Sequence, residues 1–157
     1  MTSSPNFQIS SISDNKLSTI FSKELDVFGL KIYATSSTLD EDIVHAGKIF
    51  AEYLDNDEDG EVDDQEVLAS LKNENASLIM FEDEGELERT DLDVLDGING
   101  NFQDLYGTET IPNGAALNEF DASLEEILHL ISDNGYSKVY PDAFSTKKTS
   151  LLTEAMD

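Results

Sequence analysis

The sequence contains no cysteine and no tryptophan, and only three prolines among 157 residues. Nine lysines and arginines stand against 34 aspartates and glutamates. Each shortage excludes something. Without cysteine there is no disulfide, no thiolate zinc site and no cysteine nucleophile. A formal charge of −25 leaves no basic face for bare nucleic acid or an anionic membrane, because the long-range field repels phosphate. No run approaches the roughly 18–20 apolar residues needed to span a bilayer. The opening stretch, MTSSPNFQISSISDN, has neither a basic n-region nor an apolar h-region and does not read as a signal peptide. The expectation is a soluble protein, with the compartment left open. The 39% of hydrophobic residues is enough for the core of one domain of ordinary size.

Residues 1–15, rich in Ser and Asn, read as a loose lead-in to a single domain over 16–157. Segment 27–35 alternates Phe28, Leu30, Ile32 and Ala34 on one face, a strand pattern. Segment 40–54 places Ile43, Gly47, Phe50 and Leu54 on one helical stripe, and 64–73 resumes helically with Val67, Leu68 and Leu71 inward. Residues 77–81 form a short apolar strand, 85–90 a brief helix and 101–106 a further strand. In the helix 121–134, Leu124, Ile127, Leu128 and Ile131 make the inward stripe. Ser123 and Glu126 form its capping box, and Gly135 closes it. The fold class expected is α+β, one mixed domain with a helix-loop-helix and a small sheet.

The acids are unevenly placed. Residues 1–39 hold three acids and three bases, whereas 40–66 hold twelve acids and one base, and 82–96 hold eight acids and one base. The second window reads as a solvated face. In the first the acids have a spacing. Residues 55–66 run D-N-D-E-D-G-E-V-D-D-Q-E, with oxygen ligands at positions 1, 3, 5, 7, 9 and 12: Asp55, Asp57, Asp59, Glu61, Asp63 and Glu66. Calcium is a hard ion that takes about six to eight oxygens, and a loop wrapped round it presents alternate side chains inward. Gly60 stands where a sharp turn needs positive φ. At position 7 the backbone carbonyl of Glu61 ligates, leaving its side chain free. Glu66, one methylene longer than Asp, reaches back from the outgoing helix to bind bidentately.

This loop resembles the EF-hand calcium loop, and the resemblance covers residues 46–74. The incoming stripe Gly47, Phe50, Ala51, Leu54 fits the family's helix, while the outgoing helix fits at Val67 and Leu71 and departs at Ser70 and Glu74. The segments HAGKIFAEYLDNDEDG, NFQDLYG, FDASLEEILHLI and GYSKVYP are similar to a group of acidic single-EF-hand proteins. The resemblance implies a bound Ca2+ and brings no enzymatic activity with it. A second hand is missing: in 91–102 the glycines fall out of place and Phe102 stands where Glu is required. Val62, at the position through which hands pair, therefore calls for a strand of this domain, a second copy or a protein partner.

Two other readings compete. Glu125-Glu126-x-x-His129 looks like the zinc-peptidase helix H-E-x-x-H with its first histidine replaced, so Glu125 and His129 share a face and Glu126 could serve as base. The simpler reading is an exposed Glu–His pair at i, i+4. A nucleic-acid mimic would spread its charge along one face, which a neutral first quarter of the chain does not. No G-x-S-x-G is present. The expectation is therefore a calcium-binding protein without catalytic residues.

Overall fold

Hydrophobic alternation, capping carboxylates and one tight turn build most of the architecture. The computed structural model describes residues 7–98, 100–111 and 121–141. Five strands form one open mixed sheet in the order β1-β2-β3-β4-β5: Ser10–Ser11, Lys23–Val27, Leu30–Ala34, Ala76–Phe81 and Asn101–Tyr106. β1, β2 and β3 pair antiparallel, whereas β4 lies parallel to both β3 and β5. Between β3 and β4 the chain makes α1 (Asp40–Leu54) and α2 (Gln65–Asn73). Between β4 and β5 it makes α3 (Glu84–Arg89) and α4 (Asp93–Asp96). After β5 comes α5 (Ala122–Ile131). This is a single α+β domain.

The two faces of β4 explain its unbroken apolar sequence, since all six of its residues are buried. Leu78 and Met80 join Leu25, Ile32, Ile43, Phe50, Leu71, Ile127 and Leu130 in the main core, under α1, α2 and α5. Ile79 and Phe81 face the opposite way, into a smaller cluster with Leu17 and Phe21 that Leu87 and Leu95 help to cover. None of the helices among the described residues is long and apolar enough to cross a membrane.

Several local expectations are corrected. The single strand 27–35 is the corner of a hairpin: Phe28 and Gly29 both take positive φ (53° and 90°), and Val27 pairs directly with Leu30. That is the geometry of a two-residue turn of the type that matches strand twist, and Asp26 Oδ1 accepts from the Gly29 N–H at 3.0 Å. The helix expected over 121–134 is rotated. Ser123, Ile127, Leu130 and Ile131 face the core, while Leu124 and Leu128 are 44% and 46% exposed. Six of its ten residues are apolar, so sequence alone leaves two stripes in competition. The capping box is displaced as well. Asp121 is the N-cap, its Oδ1 accepting from the N–H and the Oγ of Ser123 and from the N–H of Ile111. Nor does Gly135 end the helix, which continues through a wider π turn (Ser132–Tyr136) into a last helical turn (Ser137–Val139). Within the expected lead-in, Ser10 and Ser11 pair with Glu24 and Lys23. Residues 1–6 lie outside the described residues.

Candidate metal centre

The loop between α1 and α2 is organised by its own amide groups. Asp55 caps the end of α1, with its N–H on the carbonyl of Ala51 at 2.8 Å. The chain then turns through Glu58 (φ 57°) and Gly60 (φ 89°), where glycine carries the left-handed backbone without steric penalty. The Asp63 N–H returns to the Leu54 carbonyl at 2.8 Å and closes the loop at its mouth. Inside, Asp55 accepts from the N–H groups of Gly60 at 2.9 Å and Asp59 at 3.2 Å. Asp63 accepts from Asn56 at 2.8 Å, and Asp59 from Glu61 at 2.8 Å. Asp64 caps α2, accepting from the N–H groups of Glu66 and Val67.

This folding brings Asp55, Asp57 and Asp63 together: each offers a carboxylate oxygen, and those oxygens lie within 4.8 Å of one another. Two oxygens bound to one calcium ion at about 2.4 Å can be no further apart than about 4.8 Å, so the three fit a single ion. Asp59, Glu61 and Glu66 are exposed and stand outside this group of three. Glu66 is the second residue of α2, at the rim of the loop. The electrostatics are those of crowded anions. Burial works to raise the Asp55 carboxyl, but the N–H groups of Gly60 and Asp59 and the neighbouring Asp57 hold it below the usual range. Asp57 is pushed up, chiefly by the Asp55 carboxyl beside it, with the charges of Asp59 and Asp63 adding and the Asp59 N–H opposing. A cation relieves that crowding.

The two helices flanking the loop are held by the C-terminal part of the chain. On α1, His45 Nε2 meets Asp121 Oδ2 at 2.6 Å, and the Tyr53 hydroxyl donates to the Leu124 carbonyl at 2.9 Å. On α2, the Ser70 hydroxyl donates to the Asn134 carbonyl at 2.8 Å, and the Tyr140 hydroxyl donates to Asp64 Oδ2 at 2.6 Å. Gly135 packs so closely that a Cβ there would stand 2.8 Å from Cγ1 of Val67. Both departures from the outgoing-helix pattern thus have partners, since Glu74 accepts from the side chain of Asn101 through its carbonyl and its carboxylate. Val62 is 7% exposed within the main core, and its carbonyl accepts from the Gln65 amide at 3.2 Å.

Neither family models, nor curated proteins, nor solved structures match this chain.

Among the described residues, Glu125, Glu126 and His129 do not converge as a metal-holding group. Glu125 and His129 lie 3.5 Å apart, each more than half exposed. Glu126 faces inward, accepting from the Gln103 amide, and burial raises its carboxyl, with Asp104 adding to the effect. His45, the other histidine, is taken by Asp121. Among the described residues, Asp55, Asp57 and Asp63 are the one group of three or more acids and histidines able to hold a metal. Sequence reasoning missed Asp64, Ser70, Asn134 and Tyr140, because no spacing signals a partner 64 or 76 residues away.

Proposed function

We propose that this protein binds one calcium ion in loop 55–66, as a lone EF-hand, and that the ion mainly stabilises the fold. The observation that carries the reading is the convergence of Asp55, Asp57 and Asp63 on a span that one ion fills. An oxygen-only donor set suits a hard cation. The Glu61 carbonyl and the Glu66 carboxylate complete the shell when the rim closes on the ion. The C-terminal segment takes the place a second hand would have, by bracing α1 and α2 from the same chain.

Calorimetric titration of chelator-treated protein with calcium tests the reading. One site is expected, with magnesium binding more weakly because it gives up its water reluctantly. A stoichiometry near zero or near two rejects it.

A further inference from the structure

Four described residues other than glycine have a left-handed backbone: Phe7 (φ 49°), Phe28 (53°), Glu58 (57°) and Asn75 (50°). For a bulky aromatic this conformation is an outlier. Three of the four, Phe7, Phe28 and Glu58, line one cleft of about 250 Å³ beside the loop. Strain of this kind persists where the surrounding structure enforces it, and it gathers at ligand-holding sites. The turn at Phe28-Gly29 makes the point sharply, since asparagine is the favoured residue there. Phenylalanine instead sets a half-buried ring against the main core at the cleft wall, as Phe7 does from the N-terminal side.

The charge of the lining selects the ligand. Glu52, Asp55 and Glu58 face one cation, Lys48, in a chain of net charge −25. That field concentrates cations at the cleft, and aromatic faces attract them further. The volume lies below the roughly 300–1,000 Å³ of sites for drug-sized molecules, so the ligand is small. We propose that this cleft binds a small organic ammonium, its apolar body against Phe7 and Phe28 and its charge directed to Glu52 and Glu58. The site is separate from the ion cluster, with which it shares only Asp55, and it is read at Phe28 and Glu52, outside the loop. The amine and calcium readings therefore fail independently.

Benzylamine is the probe, with benzoate and benzyl alcohol as controls, each titrated into the full chain in calcium-containing buffer and followed by amide chemical shifts. Benzylamine should give saturable shifts centred on residues 28–29 and 48–58, with both controls at least about tenfold weaker. Phe28→Asn should keep or raise the melting temperature while weakening benzylamine at least about tenfold. Glu52→Gln should weaken it, and Lys48→Gln should tighten it. Absence of saturable shifts, benzoate binding as well as benzylamine, or loss of binding in Lys48→Gln would overturn the proposal. So would unchanged binding in both Phe28→Asn and Glu52→Gln.

Discussion

Replacing Gly135 by alanine measures how firmly the C-terminal segment is seated on α2. The added Cβ would meet Cγ1 of Val67 at 2.8 Å and Cγ and Cδ2 of Leu71 at 3.3 and 3.4 Å. Both side chains are buried, and neither has a flexible end that can swing aside. Overpacking of this kind costs about 1–3 kcal/mol. Alanine's advantage over glycine in a helical segment, about 1 kcal/mol, works in the other direction. The net expectation is a loss of about 1 kcal/mol. Gly85 in α3 supplies the matched control. There the nearest atom is Nη1 of Arg89 at 2.9 Å, the movable end of a long exposed side chain, so Gly85→Ala should be neutral or gain up to about 1 kcal/mol. The two variants should therefore differ by about 1–2 kcal/mol, which in a domain of this size is about 2–8 °C in melting temperature. Differential scanning calorimetry reads it directly. If Gly135→Ala melts as high as Gly85→Ala, the segment is not packed against α2 as the distances require.

Three further outcomes are expected. Calcium at about 100 times its dissociation constant should add roughly 2.7 kcal/mol, or about 5–10 °C. Asp57→Asn and Glu66→Gln should lose most of that shift and Glu61→Gln should keep it, so a flat calcium response in wild type would leave the loop energetically idle. Asp42, buried at the start of α1, has its carboxyl raised from 3.8 to about 6, chiefly by burial, with Glu41 and Asp121 adding and His45 opposing. The folded chain then binds that proton more tightly than the unfolded chain does, so stability falls as pH rises through this window. Urea unfolding should show Asp42→Asn gaining on wild type between pH 3.8 and about 6, and a parallel pair of curves would contradict it. Tyr140→Phe removes the hydroxyl that does most to hold the Asp64 carboxyl below its usual range. The Asp64 titration followed by NMR should move up, and an unmoved titration would remove Tyr140 from the cap.

Much of the fold was legible because its causes are local. The spans of α1 and α2, the apolar strand at β4 and the strand at β5 follow from periodicity and capping over a few residues. The acid spacing in 55–66 is also local, and Asp55, Asp57 and Asp63 meet because their loop is closed by neighbouring amides. Glu66 stands outside that group, on a helix that Ser70, Gly135 and Tyr140 tie to the far end of the chain. Tertiary contact decided which stripe of α5 faces inward, why Glu126 meets Gln103 while Leu124 and Leu128 face solvent, and what braces the two helices that flank the acidic loop. Helical period fixes which residues share a face, but it cannot orient a helix whose apolar residues occupy six of ten positions. Only the sheet and α1, brought against α5 from segments tens of residues away, select the face that is buried.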